Sequence, residues 1–267
     1  MPDAAPLRYY EQVGPTTYEP TRHVQGAWRP DEQHMAPVAG LAVHALQTLA
    51  PRPELTLCRV SFDIFGVIGL GTSEVAVEVV RPGRTIELVQ ATVSTGGRVA
   101  VRATGWRLAS ADTGTVSAGQ PDPLPGPERW EPWPQQVWGG GFIDSVEVRV
   151  EPGSVPGRIR AWIRSDVTLL DGASELARFL GFVDSMNGIG GRVDPRRWMF
   201  PNTDLTVHLH RTPSFDAPGS GRDWVGLDVS SVLGADGVGL TSAVLHDADG
   251  PVGRAEQILT VRPLPPR

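Results

Sequence analysis

"GASELARFLGFVDSM", residues 172–186, has one of the two helix patterns in the sequence. Its apolar residues recur at helical spacing, at Leu176, Phe179, Leu180 and Val183. This pattern predicts an amphipathic helix that buries one side. Ser174 is a suitable N-cap, and Asn187-Gly188 is a suitable C-terminal stop.

One carboxylate interrupts the apolar side of this predicted helix. Asp184 lies one turn after Leu180 and therefore shares its stripe. A negative charge in the last turn of a helix is mildly unfavourable against the helix dipole. The position therefore favours a carboxylate kept for chemistry over a polar residue at a helix end.

Each half of the sequence has one predicted helix followed by four predicted strands. The first helix is predicted at Pro37–Leu49. The strands predicted after it are Leu55–Phe65, Ser73–Arg81, Thr85–Ser94 and Arg98–Leu108. The second helix is preceded by a strand at Val146–Val150 or at Arg158–Arg164, and the strands after it are Thr203–Arg211, Trp224–Ser231, Gly239–His246 and Gly253–Arg262. One helix followed by antiparallel strands, twice, is an α+β pattern, and two such units side by side can join into one continuous sheet.

A proline-rich segment separates the two patterns. "PDPLPGPERWEPWP", residues 121–134, has six prolines in fourteen residues. Proline fixes φ and removes backbone donors, so the segment is predicted to be an extended linker. It divides the chain into an N-terminal unit, 1–120, and a C-terminal unit, 135–267.

Composition excludes several classes of protein. The net charge is −6 and no Lys/Arg-rich run occurs, which argues against nucleic-acid binding. No apolar stretch approaches ~18 residues, and the N-terminus has no signal-peptide pattern, so no membrane partner and a cytoplasmic location are expected. The nucleophile elbow, the Walker A loop and the dinucleotide fingerprint are all missing from the sequence. His208 and His210 would share one face of a strand, but no further ligand completes a metal site, so no metal is expected.

Four stretches together resemble one known family. They are "QHMAPVAGLAVHAL" (33–46), "VEVVRPGRTIELVQATVSTGGRVAV" (77–101), "ARFLGFVDSMNGIG" (177–190) with "FPNTDLTVHLHR" (200–211), and "GVGLTSAVLHDADGPVGRAEQILTVRP" (237–263). Their order and spacing resemble the acyl-CoA thioesterase II family. The resemblance implies a double hotdog fold, hydrolysis of an acyl-CoA thioester, no cofactor and a homo-oligomer, commonly a dimer.

The family resemblance also implies site residues. Members use an Asp, a Thr or Ser, and a Gln to activate a water, and the Asp and Gln correspond here to Asp184 and Gln257. The hydroxyl position corresponds to Asn202, which has no hydroxyl, with Thr203 next to it, and the choice between these two stays open.

The stretch 33–46 corresponds to the loop and helix start that offer backbone N–H groups to the thioester oxygen in the family. It implies His34, Met35, Ala36 and Gly40 as substrate-binding residues. Here "HMAP" stands in place of the usual glycine pair, and Met35 and Ala36 still carry N–H groups.

Two alternatives to hydrolysis remain. The same apolar groove between the halves can bind acyl-CoA or a lipid without turnover. A hotdog hydratase would need a compact Asp and His pair, which Asp31 and His34 resemble only in their closeness.

Overall fold

The computed structural model describes residues 7–133 and 138–264. The end of the predicted linker at residue 134 and the start of the predicted C-terminal unit lie outside these ranges. The α-helices are α1 (Met35–Thr48), α2 (Gly141–Ser145), α3 (Glu175–Val183) and α4 (Met186–Ile189). The strands are β1 (Tyr10–Gln12), β2 (Thr17–Pro20), β3 (Leu55–Ile64), β4 (Ser73–Arg81), β5 (Ile86–Thr95), β6 (Arg98–Ala109), β7 (Glu131–Pro132), β8 (Val146–Val150), β9 (Arg158–Ser165), β10 (Trp198–Met199), β11 (Asp204–Leu209), β12 (Val225–Leu233), β13 (Val238–Asp247), β14 (Gly250–Thr260) and β15 (Arg262–Pro263).

Thirteen of the strands in these ranges form one antiparallel sheet. Their order is β1-β2-β4-β5-β6-β3-β11-β14-β13-β12-β9-β8-β7, and β10 pairs separately with β15. From the centre of the sheet outward, the strands of the first half are in the order β3-β6-β5-β4-β2. Those of the second half are in the equivalent order β11-β14-β13-β12-β9, on the other side of the centre. The two patterns meet where β3 pairs with β11, with Ser61 opposite Thr206. The expected double hotdog with one continuous sheet is therefore confirmed.

Both long helices pack against one face of this sheet and against each other. The residues of α1 from Met35 to Leu46 are all buried, which accounts for its continuous apolar sequence. At the crossing with α3, a Cβ on Gly40 would lie 2.9 Å from the Ala177 carbonyl oxygen and 3.1 Å from Gly181 Cα. Only glycine permits this close approach.

The predicted second helix is wrong at its C-terminal end. Ser174 caps α3 as predicted, since its Oγ accepts from the Ala177 N–H. The helix ends at Val183, however, and a separate short helix, α4, begins at Met186. Asn187 and Gly188 lie inside α4 instead of stopping the helix. The interruption places Asp184 and Ser185 at a corner between two helices.

The second half has both of the strands that were predicted as alternatives before its helix. β8 and β9 pair with each other, and β9 also pairs with β12. The short β1 and β2 at the other end of the sheet were not predicted, because three or four residues give no clear alternation.

The described part of the proline-rich segment is extended, apart from one short 3₁₀ turn at Pro127–Arg129. Its last described residues include the edge strand β7, which pairs with β8, and the Trp162 Nε1–H of β9 donates to the Pro125 carbonyl at 2.8 Å. Trp130 is buried there against Trp162 and Trp224. Within the described ranges, no helix is both long and apolar enough to cross a membrane.

Candidate active site

Asp184, Asn202 and Gln257 meet in one hydrogen-bonded group. Asp184 is 3% exposed, and its Oδ1 accepts from Asn202 Nδ2 at 2.7 Å and from Gln257 Nε2 at 2.8 Å. The Gln257 amide also donates to the main-chain oxygen of Asp184 at 3.3 Å. The sequence-predicted Asp and Gln are therefore in contact, although 72 residues separate them along the chain.

The sheet positions Gln257. Burial alternates along β14, so that Ala255, Gln257 and Leu259 face the helices while Glu256 and Ile258 face outward. This alternation directs the Gln257 side chain at the corner between α3 and α4. Its Oε1 is buried and has no hydrogen-bond partner among the described residues.

The two candidates for the third position, Asn202 and Thr203, lie just before β11 and differ in their contacts. Asn202 is half-buried and donates through Nδ2 to Asp184 and also to the Asp204 carbonyl at 3.0 Å. Thr203 is exposed, and its backbone pairs with Ile258 and Ile64. The structure thus brings Asn202, and not Thr203, to the carboxylate.

Burial shifts the acidity of Asp184. Desolvation raises the pKa of this carboxyl from 3.8 to about 6, against the opposing effect of the hydrogen bonds from Asn202 and Gln257. Both of those donors contact Oδ1. The second oxygen, Oδ2, lies 4.0 Å from His34 Nδ1. The carboxyl group therefore has a pKa close to neutral and can act as a general base. Its Oδ1 accepts both hydrogen bonds, and its Oδ2 lies on the side of His34.

His34 is the N-cap of α1. Its Nδ1 accepts from the Ala36 N–H at 3.1 Å, and its ring stacks on Phe142 with the centroids 4.3 Å apart. Burial lowers the pKa of His34 to about 4. The ring is neutral at pH 7, and because Nδ1 is an acceptor, its proton is assigned to Nε2.

The remaining predicted substrate-binding residues differ in their availability. The Ala36 N–H is already bonded to His34, so the Met35 N–H is the other backbone donor of the first turn of α1. Gly40 lies in the contact between α1 and α3, where its missing side chain serves packing.

A cavity of about 300 Å³ adjoins these residues. His34, Ser185 and Asn187 line it beside Asp184, which does not line it itself. The rest of its wall is mostly apolar and comprises Pro132, Trp133, Trp138, Phe142, Ile143, Val146, Glu147, Val148, Ile163, Gly188 and Ile189. The groove was expected between the two halves, but every lining residue except His34 comes from the second half or from the proline-rich segment.

A more open groove of about 580 Å³ continues from this cavity. The two spaces share Trp133, Trp138, Gly188 and Ile189, and the outer groove also contains Arg192 and Arg196. Trp138 stands at the boundary and contacts Trp28 and Phe200 edge to face. Sequence reasoning missed Trp138 and Ser185, because nothing in their local pattern distinguishes a cavity wall from ordinary core.

Two other sequence candidates lie elsewhere. His208 and His210 are exposed, and no group of three His, Cys, Asp or Glu side chains in the described ranges is arranged to hold a metal ion. Asp31 is exposed and pairs with Arg29 at 2.9 Å, so it does not form the pair with His34 that a hydratase would need.

Comparison with known proteins agrees with the fold and identifies a family. Residues 24–108 match the family described as acyl-CoA thioesterase N-terminal domain, and residues 118–261 match the acyl-CoA thioesterase C-terminal domain. The second match alone covers more than half of the chain. No curated protein matches the sequence closely enough to be called a relative.

Solved structures share the fold at low identity. An acyl-CoA thioesterase II, TesB2, from Mycobacterium marinum is 15% identical, with 97% of this chain and 96% of that chain covered and a TM-score of 0.66. A hot dog fold protein of unknown function from Alicyclobacillus acidocaldarius is 13% identical, with coverage of 97% and 96% and a TM-score of 0.71. A protein assigned to thioesterase II from Thermobifida fusca YX is 23% identical, with 95% of each chain covered and a TM-score of 0.69. These likenesses show the fold, and the two family matches show more: the chain belongs to the acyl-CoA thioesterase family, whose members are thioester hydrolases.

Proposed function

We propose that this protein hydrolyses acyl-CoA thioesters with a water activated by Asp184 and positioned by Gln257, with Asn202 holding the carboxylate. The observation that carries the proposal is the geometry of Asp184. One of its oxygens accepts from both Asn202 and Gln257, and burial raises its pKa to about 6. A buried carboxylate without a cationic partner is unfavourable for folding, and general-base chemistry gives it a reason.

The proposed water lies between two acceptors, Asp184 Oδ2 and Gln257 Oε1. Asp184 Oδ2 takes one proton of the water as its oxygen attacks the thioester carbonyl carbon. Gln257 Oε1, which has no partner among the described residues, accepts the other O–H of the same water. The amide fixes the water without titrating, so the two acceptors have separate tasks.

The reaction closes without any further reactant. Attack by the water oxygen gives a tetrahedral intermediate whose oxyanion accepts a hydrogen bond from the neutral His34 Nε2–H. The C–S bond then breaks, the proton held by Asp184 goes to the departing thiolate, and the products are a carboxylic acid and free CoA. His34 donates from Nε2–H without taking up a proton itself, because its pKa of about 4 keeps the ring neutral.

The spaces around the site support an acyl-CoA as the substrate. The apolar cavity beside Asn187 and Ser185 would hold the acyl group, and the outer groove with Arg192 and Arg196 would hold the phosphate-bearing part. We further propose a cytoplasmic homodimer that acts in fatty acid metabolism. We also propose that the chain divides into units 1–120 and 135–267, joined by 121–134, as the mirrored strand order favours.

The test is release of free thiol from acyl-CoAs of graded chain length. The unmodified protein is expected to release CoA. Asp184→Asn is expected to lower kcat/KM by about 10²–10⁴, the usual contribution of general-base catalysis, and Gln257→Ala to lower it by a smaller factor. Turnover that survives both substitutions overturns this site. Tight acyl-CoA binding without thiol release would instead identify a binding protein that retains the family fold.

A further inference from the structure

The side chain of Ser185 has an unusual environment for a buried hydroxyl. The residue is 8% exposed and lines the cavity beside His34. Its Oγ has no hydrogen-bond partner among the described residues. Ser185 is the only serine or threonine in the described ranges with a buried hydroxyl of this kind.

Two other buried serine hydroxyls are satisfied. Ser231 Oγ donates to the Gly190 carbonyl at 3.0 Å and contacts Thr241 Oγ1 at 3.1 Å. Ser165 Oγ donates to the Ser145 carbonyl at 2.6 Å. Leaving a buried polar group unpaired is costly, so such a group requires an explanation.

The local backbone does not use the Ser185 hydroxyl either. Ser185 precedes α4 at the N-cap position, where a serine usually accepts from a backbone N–H. Its φ of −66° and ψ of −11° are helical instead, and its side chain makes no capping bond. Nor does the hydroxyl bond back to a carbonyl of α3, the other common partner of a helical serine. Among the described residues, the hydroxyl therefore has no partner at the cavity wall.

We infer that the Ser185 hydroxyl donates a hydrogen bond to the carbonyl oxygen of the acyl thioester. The inference rests on the proposed function, because it assigns a second donor to the oxyanion that His34 Nε2–H also contacts. Ser185 directly follows the proposed base, Asp184, and His34 Nδ1 lies 4.0 Å from Asp184 Oδ2. An uncharged acceptor fits this position, since a ligand carboxylate would be repelled by the Asp184 carboxylate.

Two non-hydrolysable CoA analogues isolate this hydrogen bond. In the ketone analogue a CH₂ group replaces the thioester sulfur and the carbonyl is kept, whereas the alkyl thioether has no carbonyl. Ser185→Ala is expected to raise the Kd of the ketone about tenfold and to leave the Kd of the thioether unchanged. Ser185→Thr keeps a hydroxyl and is expected to restore the preference for the ketone. Ser231→Ala removes a satisfied buried hydroxyl outside the cavity and is expected to alter neither Kd.

Kinetics provide a second readout. Because a donor to the oxyanion acts mainly in the transition state, Ser185→Ala is expected to lower kcat by about 10² or more, with little change in KM. Equal loss of affinity for both analogues, or a Ser185→Ala variant with unchanged kcat, overturns the inference while leaving hydrolysis by Asp184 intact. Failure of the unmodified protein both to bind either analogue and to release thiol overturns the proposed function, and the inference with it.

Discussion

Asn202 Nδ2 lies 2.7 Å from Asp184 Oδ1, while the neighbouring Thr203 is exposed. A carboxamide thus donates to the carboxylate at the position where the family resemblance implies a hydroxyl. An amide N–H and a hydroxyl are both hydrogen-bond donors, so the contact with Asp184 does not require an oxygen at this position.

The neighbours Asn202 and Thr203 provide a matched pair of variants. Asn202→Ala is expected to lower kcat/KM by about tenfold or more, because the carboxylate loses one of the two donors that orient it. Thr203→Ala is expected to retain the activity of the unmodified protein. Steady-state thiol release from both variants, with melting temperatures to verify folding, provides the measurement. A larger loss with Thr203→Ala would reverse the assignment.

The Asp184 carboxylate is expected to make the folded protein less stable at neutral pH. Its pKa is raised from 3.8 to about 6 in the folded state, so folding favours the protonated form. Stability therefore falls as pH rises from about 4 to about 6 and stays lower above that range.

Asp184→Asn removes this charge and keeps an oxygen for the two donors. At pH 8 the variant is expected to exceed the unmodified protein in free energy of unfolding by about 2–3 kcal/mol, and this advantage is expected to vanish near pH 4. Urea denaturation at pH 4, 6 and 8 measures the difference. A difference that is constant across this range would contradict the raised pKa.

Gly40 and Gly181 face each other across the contact of α1 with α3 but tolerate a methyl group unequally. A Cβ on Gly40 would lie 2.9 Å from a backbone oxygen, whereas the nearest atoms to a Cβ on Gly181 are 3.8 Å away. Gly40→Ala is expected to destabilise by about 1–3 kcal/mol through overpacking. Gly181→Ala is expected to be neutral or stabilising, because alanine is the better helix former. Chemical denaturation of both variants decides, and equal effects would contradict the packing role of Gly40.

Trp138 is expected to limit the length of the acyl group. It lines both the inner cavity and the outer groove, so Trp138→Ala would widen their connection. The ratio of kcat/KM for long-chain to short-chain acyl-CoA is expected to rise in this variant. Trp198→Ala removes a tryptophan that is 36% exposed and lines neither space, and its ratio is expected to stay unchanged. If the dependence of kcat/KM on acyl-chain length is unchanged in Trp138→Ala, the acyl group does not bind beside Trp138.

The repeated helix-and-strand order was readable from the sequence because each element has a strong period. The alternation in β14 that buries Gln257 and the apolar stripe around Asp184 are both local patterns. Whether Asp184 and Gln257 come into contact depends on which strands pair, and the family resemblance supplied that information. Local patterns therefore predicted the helices and strands, whereas the contacts between them could be predicted only once the fold was known.

The helix break after Val183 shows where local reasoning failed. The apolar spacing continues through Met186, and no glycine or proline lies between Val183 and Gly188. Asp184 makes its hydrogen bonds with Asn202 and Gln257, which belong to distant parts of the chain. The end of α3 after Val183 therefore coincides with tertiary contacts, and no local sequence pattern predicts it. Local sequence also could not predict which of Asn202 and Thr203 contacts Asp184, since adjacent residues at the start of a strand differ only in the side they face.

The role of Asp184 as the general base can be measured through the pH dependence of kcat/KM for acyl-CoA hydrolysis, with the unmodified protein compared with Asn202→Ala. The acyl-CoA phosphate also titrates near pH 6, so the shift between the two proteins carries the test. The kcat/KM is expected to fall below about pH 6 as Asp184 takes up a proton. The midpoint is expected to be higher in Asn202→Ala, because the charged carboxylate loses a donor. A rate that is flat from pH 5 to pH 8, or a midpoint that is the same in both proteins, would contradict Asp184 as the base.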